Sequence, residues 1–219
     1  MELQYIVLIV ILLIIIALGL VYYFFYYTSG NNLSKYKIDI LKDETLFDQD
    51  YSQIFNTNLL VKDRSSLLVP NMGYGITFAW EMNIPNNAGN DKWKRSYNTL
   101  KPIISLGDSP VISYHPKKNY LSVVMKYKNN PFYVQIAEVR FDNIKLQNWY
   151  KYIVIIDNRS VKLYINGVLS TTKFLPSIPM INDLNSELSL GSKDNNFMGK
   201  VRNVVIYPYP ISYNEIDMA

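Results

Sequence analysis

Alternation of apolar and polar residues is the clearest pattern along the chain. In GITFAWEMNI, residues 75–84, every second residue is large and apolar, and the residues between them are small or polar. A period of two predicts a β-strand with one face buried. Further candidate strands follow at short intervals: KPIISLG, PVISYH, YLSVVMKY, PFYVQIAEV, WYKYIVIID, SVKLYING, VLSTTKFL, ELSLGS and GKVRNVVIYP.

The segment WYKYIVIIDNRSVKLYING, residues 149–167, predicts a β-hairpin. Its two apolar-patterned runs are joined by the polar break DNRS, which is a turn sequence. Asn166 and Gly167 begin the next turn, because Asn and Gly adopt positive φ most easily. The first strand has apolar residues on both faces, so we expect it to lie centrally between two layers. Trp80 and Trp149 are on patterned strands and are expected in the core.

Turn sequences such as KNNP, NG and KDNN separate the predicted strands. No segment between residues 31 and 210 has a convincing helical period, and a βαβ fold would need helices between its strands. Many short strands joined by turns favour an all-β sandwich or barrel.

The N-terminal segment YIVLIVILLIIIALGLVYYFFYY, residues 5–27, contains no charged residue. At about 1.5 Å rise per residue, a helix of this length extends about 34 Å and crosses a hydrocarbon core of about 30 Å. A lone span must be helical, because a helix satisfies its own backbone hydrogen bonds. Aromatic residues at 22–27 would meet the headgroups. We therefore predict a single transmembrane helix.

A cleaved signal peptide is the alternative, with Ala17 and Gly19 as small residues before the cut. The start MELQ lacks Lys and Arg and the apolar run continues past Gly19, which favours a retained anchor. Lysines follow the span and none precedes it, so the positive-inside rule favours a single-pass protein with a cytosolic C-terminal domain. On the opposite side of the membrane, the sequons at Asn32 and Asn158 could be glycosylated.

The composition fits this organisation. Of 219 residues, 49% are hydrophobic and 18% are charged, enough for residues 38–219 to bury a core behind an anchor at 1–29 and a linker at 30–37. The absence of cysteine excludes disulfides, thiolate metal sites and a cysteine nucleophile. The formal charge of +4 can favour anionic partners such as phospholipid or acidic glycan.

The C-terminal part of the chain resembles a known superfamily. The run from Trp149 through VKLYING, then LSLGS at 188–192 and FMGKVRNVVIYPYPISYNEI at 197–216, is similar to the concanavalin A-like lectin/glucanase superfamily. More narrowly it resembles laminin G-like, pentraxin-related modules. The resemblance implies an all-β, two-sheet antiparallel jelly-roll sandwich, preceded by the single transmembrane α-helix. It leaves the ligand open, because one fold serves many functions.

Catalytic motifs are missing. Retaining glycoside hydrolysis needs two carboxyl groups about 5 to 5.5 Å apart, and the related glucanases use E-x-D-x-x-E. Here only Glu215 has Asp two positions on, at Asp217. The single histidine, His115, has no G-x-S-x-G elbow for a triad, and a lone His rarely makes a zinc site. No glycine-rich phosphate-binding motif occurs. We predict that the protein is not an enzyme.

The most suggestive binding segment is NDKWKRSYN, residues 90–98. Sugar rings stack on exposed aromatic rings while polar groups hold the hydroxyls, and basic neighbours add cation–π attraction. The alternative is a solvated loop that its tryptophan anchors to the sandwich. The predicted ligand contacts are Trp93, Lys94, Arg95, Tyr97, Tyr114 and His115.

No cofactor is predicted. Some laminin G-like and pentraxin modules bind calcium, and Asp108 and Asp183 are the nearest oxygen donors in loops. No dense acidic loop resembles a calcium cage, so calcium is unsupported. Basic residues are scattered and no reading motif occurs, so nucleic acid is not a predicted partner.

The favoured function is a membrane-anchored, non-catalytic recognition or scaffolding module, whose partners are the lipid bilayer and a glycan or protein. A second hypothesis makes the chain a minor capsid or membrane protein of a large DNA virus particle, docked against neighbouring shell proteins. The 19 tyrosines, with abundant Asn, Ile and Lys, suggest coding by an AT-rich genome. This signature, the missing cysteines and the predicted cytosolic side are compatible with a virion membrane. A third, glycoside hydrolase, requires acids from unrelated loops to converge.

Overall fold

The structure is a computed structural model that describes residues 13–22, 37–48, 51–55, 75–85, 97–130, 133–181, 187–193 and 195–216. Residues 13–22 are helical. Within these ranges, no helix combines the length and the apolar character needed to cross a bilayer. The remainder of the predicted anchor, residues 1–12 and 23–29, lies outside the described residues, as do linker residues 30–36.

The chain divides into two compact units, Met1–Lys37 and Ile38–Ala219. The described part of the second unit is built from strands and one short helix. These elements are β1 (Ile38–Leu41), β2 (Thr45–Leu46), β3 (Ser52–Phe55), β4 (Gly75–Asn83), β5 (Lys101–Leu106), β6 (Val111–His115), β7 (Tyr120–Asn130), β8 (Tyr133–Asp142), β9 (Tyr150–Asp157), β10 (Ser160–Ile165), β11 (Val168–Phe174), β12 (Pro179–Met180), β13 (Leu188–Gly191), β14 (Lys200–Tyr207) and α1 (Tyr213–Ile216).

The strands form two antiparallel sheets. Sheet A runs in the order β1–β14–β4–β9–β10–β11, and β2 also pairs with β14. Sheet B runs β7–β6–β5–β13–β3, and β8 and β12 also pair with β7. Because β8 lines one side of β7 throughout, β6 and β12 share the other side. Among the described strands, β8 and β3 are therefore the edges of sheet B. The predicted all-β, two-sheet antiparallel sandwich is confirmed.

Alternate residues of facing strands point between the sheets and form the hydrophobic core. On β4, the side chains of Ile76, Phe78, Trp80 and Met82 are buried, as the pattern predicted. The ring of Trp80 stacks on Tyr152 of β9 with the centroids 5.8 Å apart. Burying each large apolar side chain contributes about 1.5–3 kcal/mol, so this face supplies much of the folding free energy.

The hairpin predicted from DNRS is confirmed. Strand β9 ends at Asp157 and β10 begins at Ser160, which leaves a tight turn in which Asn158 has φ 51°. The next turn uses Asn166 at φ 49° and Gly167 at φ 79°. Two successive positive φ values match the right-handed twist of the flanking strands. Strand β9 lies between β4 and β10 in sheet A, and its residues from Tyr152 to Ile156 are buried on both faces, as its apolar residues on both faces predicted.

The outer face of sheet A is buried at β4, although the alternating pattern of this strand predicts that only its inner face is buried. Thr77 and Ala79, on the polar face of β4, are 0% and 1% exposed. The chain following β14 crosses this face: the Thr77 hydroxyl donates to the carbonyl of Tyr209 at 2.9 Å and accepts from the amide of Ile211 at 3.1 Å. Sequence periodicity within one strand could not reveal this cover, because the covering segment is far away along the chain.

The prediction that Trp149 lies in the core is wrong. It precedes β9 and has the same phase as Lys151, which places it at the end of the outer face of sheet A, where its side chain is half-buried. The guanidinium carbon of Arg202 lies 4.2 Å from the Trp149 ring centroid. The same guanidinium donates to Glu81 Oε2 at 2.9 Å. Trp149 is therefore part of a surface cation–π and ion-pair cluster.

One core position holds a lysine. Lys101 on β5 is 1% exposed and pairs with Tyr114, whose side chain points between the sheets. Its ammonium donates to Asn195 Oδ1 at 2.6 Å, and the Asn195 side chain donates to the carbonyl of Leu100 at 3.0 Å. Burial lowers the pKa of Lys101 to about 8, because the interior disfavours the charged form.

We expect Lys101→Met to raise the thermal midpoint near neutral pH. An unfolded lysine titrates near 10.5, so between pH 8 and 10.5 the unfolded chain binds a proton that the folded chain does not. Stability of the wild type therefore rises with pH across that window, and the advantage of the variant shrinks there. Thermal denaturation at pH 7 and pH 9.5 measures both effects. A variant less stable than the wild type at pH 7 would contradict this expectation.

Candidate functional site

The outer face of sheet B carries a band of polar side chains across three strands. Cross-strand register aligns His115 with Tyr120, and Ser122 with Arg140. Glu138 is the next outward-facing residue beside Arg140 on β8. We call these five residues, His115, Tyr120, Ser122, Glu138 and Arg140, the polar cluster. The residues that alternate with the cluster on β6 and β7 point between the sheets and belong to the hydrophobic core. The cluster therefore lies directly over packed side chains.

Direct contacts join the members of the polar cluster. The Ser122 hydroxyl donates to Glu138 Oε1 at 2.7 Å, and the Arg140 guanidinium donates to Glu138 Oε2. The Arg140 guanidinium carbon lies 5.0 Å from the Tyr120 ring centroid, and the rings of Tyr120 and His115 are 4.9 Å apart. The cluster is thus a preformed network held by β6, β7 and β8.

The Glu138 carboxylate is held in its ionised form. The hydrogen bond from Arg140 lowers the pKa of Glu138, and it outweighs burial, which acts in the opposite direction. The hydrogen bond from Ser122 lowers that pKa further. An ionised carboxylate accepts hydrogen bonds from ligand hydroxyl groups, but it is unsuited to donating a proton near neutral pH.

The His115 imidazole is neutral at neutral pH. Burial lowers the pKa of His115, and the positive charges of Lys118 and Arg140 lower it further. The backbone N–H of Lys118 donates to Nδ1 of His115 at 3.3 Å. The proton of the neutral ring is therefore on Nε2, which leaves that nitrogen as a hydrogen-bond donor.

The predicted ligand contacts divide into three groups. Trp93, Lys94 and Arg95 lie outside the described residues. Tyr97 is 40% exposed, and its carbonyl accepts a hydrogen bond from the amide of Lys117 at 3.3 Å, which brings Tyr97 to the end of β6.

The remaining two predicted contacts, Tyr114 and His115, are buried. Tyr114 is 2% exposed, and its hydroxyl donates to Asn119 Oδ1 at 3.1 Å. Burial raises the pKa of Tyr114, and the nearby Tyr97 hydroxyl adds to that rise. The placement gives Tyr114 a packing role and no exposed ring for a ligand. His115 is 6% exposed and belongs to the polar cluster.

Exposed cations lie within the polar cluster and beside it. The Arg140 side chain is 52% exposed, and Lys117 and Lys118 are exposed in the turn that follows His115. A guanidinium has five N–H donors, so Arg140 keeps donors for a ligand beyond its contact with Glu138. With the partly exposed Tyr97 ring alongside, this end of sheet B is suited to a polar ligand that carries anionic groups.

Sequence reasoning missed Tyr120, Ser122, Glu138 and Arg140. A signal was present: in EVRFD, residues 138–142, charged residues alternate with apolar ones, which predicts a strand with a charged outer face. The pairing of that strand with β7, which brings Ser122 and Tyr120 beside it, depends on register and could not be deduced from either segment alone.

No metal site emerges from the described part of the chain, where no group of three or more His, Asp or Glu side chains is arranged to hold an ion. Asp108, considered as a calcium ligand, forms an ion pair with Lys126. Asp183 lies outside the described residues.

A family model described as the concanavalin A-like lectin/glucanases superfamily matches residues 92–217, or 126 of the 219 residues. The chain belongs to this superfamily. The prediction made from the Trp-led strand, the NG hairpin and the closing EI segment is confirmed. Among curated proteins, none matches the chain.

Solved structures with a similar fold include two toxin domains. The receptor binding domain of botulinum neurotoxin C/D mosaic serotype superposes with a TM-score of 0.56 at 14% identity, over 83% of this chain and 45% of that one. The botulinum neurotoxin serotype G binding domain gives 0.55 at 16% identity, over 84% and 46%. This superfamily member therefore spans less than half the length of those domains, and the likeness concerns the fold.

Titration of His115 should be visible in the stability of the protein. The unfolded imidazole titrates near 6.5 and the folded one lower, so stability is lost as pH falls through this range. Because His115 is the only histidine, His115→Gln should flatten the decline in thermal midpoint between pH 7.5 and 5.5. Parallel declines in the wild type and the variant would show that another group controls this range.

Proposed function

We propose that the sandwich is a non-catalytic recognition module that binds glycans carrying anionic groups at the polar cluster. The observation that carries the proposal is the network of Glu138, Arg140 and Ser122 on a rigid sheet face, bordered by exposed lysines. Fixed acceptors and donors of this kind suit sugar hydroxyls and carboxylates, because little side-chain entropy is lost when they bind. The partly exposed ring of Tyr97 provides a surface for sugar stacking.

The placement of the glutamates supports binding over hydrolysis. Glu81 and Glu138 lie on the outer faces of different sheets, and packed sheets are about 10 Å apart. That separation exceeds the spacing of about 5 to 5.5 Å that a retaining pair needs, and the two carboxyl groups face no common cleft. Burial alone would raise the pKa of Glu81, but hydrogen bonds from Asn203 and Arg202 outweigh it and lower the pKa. Neither carboxyl is prepared to act as a general acid.

The similar solved structures support a recognition role at the level of the scaffold. The superposed domain of botulinum neurotoxin C/D is described as a receptor binding domain. At 14% identity the likeness extends to the fold, so the ligand class proposed for the present chain rests on the polar cluster alone. The positive charges of Arg140, Lys117 and Lys118 favour acidic over neutral glycans.

Tyr97→Ala in a fragment of residues 38–219 should weaken glycan binding about fivefold, because a sugar–aromatic contact contributes on the order of 1 kcal/mol. Arg140→Gln should reduce the preference for acidic over neutral glycans. A glycan array followed by titration calorimetry measures both. Tyr213→Ala is the matched control, since Tyr213 is 74% exposed on α1, outside the cluster. A silent array, with shell or scaffold proteins co-purifying instead, would favour the structural role.

We further propose that residues 5–27 hold the module at a membrane. Glycan recognition implies that the sandwich lies on the non-cytosolic side, whereas the lysines after the apolar segment favour the cytosol. Flanking charge orients long domains weakly, so we give more weight to glycan recognition and propose that the sandwich is translocated. Asn158 reports the orientation, because it is exposed in the β9–β10 turn and begins the sequon Asn158-Arg159-Ser160.

In mammalian cells, the full chain should resist alkaline carbonate extraction and should carry a glycan on Asn158. Removal by a glycosidase, and loss in Ser160→Ala but retention in Ser160→Thr, would establish the site, since Thr preserves the sequon. A chain released by carbonate contradicts the anchor. A membrane-bound chain unmodified at Asn158 contradicts the translocated orientation.

A further inference from the structure

Strand β8 has an edge that no described strand covers. It is the longest edge strand of sheet B, and within the described chain it pairs only with β7. On the other side of β7, β6 pairs as far as Val124 and β12 pairs at Lys126 and Tyr127, so the uncovered edge of β8 belongs to a hairpin that the sheet supports from behind. An edge strand presents a row of backbone donors and acceptors that can pair with another strand.

The two halves of β8 differ in charge. Residues 138–142 carry three charged side chains on the outer face, which discourages pairing with another edge. Residues 133–137, YVQIA, carry no charge and no proline. In this uncharged half, Val134 is 50% exposed and Ile136 is 67% exposed. The usual protection of an edge strand is therefore confined to one half of β8.

A partner for this edge has to satisfy backbone hydrogen-bonding groups as well as cover apolar side chains. Lipid would not be a suitable cover for this surface, because a bilayer cannot satisfy the hydrogen-bonding groups of a strand edge. A second strand satisfies the backbone and covers the side chains together.

We propose that the uncharged half of β8 pairs antiparallel with the same segment of a second copy, about a two-fold axis at Gln135. In this register, Val134 lies opposite Ile136 of the second copy, and the reverse contact follows by symmetry. Both contacts are apolar pairs on one face of the joined sheet.

Other symmetric registers are less favourable. A centre at Ile136 places Val134 opposite Glu138, and a centre at Ala137 places Ile136 opposite Glu138. A centre at Glu138 puts two like charges face to face, which is destabilising. A centre at Val139 pairs Glu138 with Arg140 but leaves the exposed residues 133–135 uncovered. The register centred on Gln135 alone pairs the uncharged half with itself.

The absence of cysteine from the chain makes the register directly testable. Gln135→Cys, in the detergent-solubilised full chain, places two thiols directly opposite each other across the axis, within reach of a disulfide. Mild oxidation should then give covalent dimers on a non-reducing gel. Ile54→Cys is the matched control: Ile54 is 61% exposed on β3, at the opposite edge of the same sheet.

A second variant tests the apolar contacts. Ile136→Lys places a charge on each side of the axis and should reduce cross-linking of Gln135→Cys at least about tenfold, because the contact occurs twice in a symmetric dimer. Ile54→Lys should leave it unchanged. Circular dichroism establishes that both variants keep their strands.

The cross-linking pattern distinguishes pairing of β8 from association through another part of the chain. Selective cross-linking at 135 that Ile136→Lys abolishes supports the proposal. Equal cross-linking at 54 and 135, as association through the N-terminal segment would give, overturns it. A wild-type chain that sediments as a monomer at all concentrations overturns it as well, as would a dimer that persists unchanged in Ile136→Lys.

Discussion

The face-to-face packing of two sheets is the constraint on which the rest of the structure depends. Side chains along a strand alternate between its two faces. Placing Phe78 and Trp80 between the sheets therefore fixes which residues of β4 point inward and which point outward. The indole of Trp80 shows how strongly packing dominates: among the described side chains its Nε1 is buried without a hydrogen bond. The stacking against Tyr152 and the area removed from water offset that cost.

The polar side chains that point outward are used differently on the two sheets. On sheet A, the segment after β14 covers Thr77, whose hydroxyl bridges two backbone groups of that segment. A register shift in β14 between Arg202 and Val205, with Asn203 at φ 52°, brings Asn203 to Glu81. The polar residues on the outer face of sheet A are therefore engaged in hydrogen bonds within the protein. On sheet B, the network around Glu138 keeps a guanidinium exposed, so this face retains capacity for a ligand.

Much of the fold follows from local sequence pattern. The period of two located β4, and the turn residues located the β9–β10 hairpin, because each signal lies within one segment. Features that join distant segments were not predictable: the cover over Thr77, and the side of the sheet that Trp149 occupies. The buried Lys101 was equally hidden, since its strand KPIISLG is an ordinary candidate and its partner Asn195 is far along the chain.

The polar cluster was less accessible to sequence reasoning than the fold, because it depends on register. Residue type pointed to His115 and Tyr97, since histidine and tyrosine near basic residues attract attention in any sequence. It favoured Tyr114 for the same reason, although β6 turns that ring inward, one residue from His115 on the opposite face. Residue type alone cannot separate such neighbours; the phase of the strand does so. Strand β8 shows the same rule at larger scale, because its charged half completes the polar cluster while its uncharged half extends beyond β6. One strand thereby carries part of the polar cluster, for which we propose ligand binding, and an edge without charged residues, separated by the point where β6 ends.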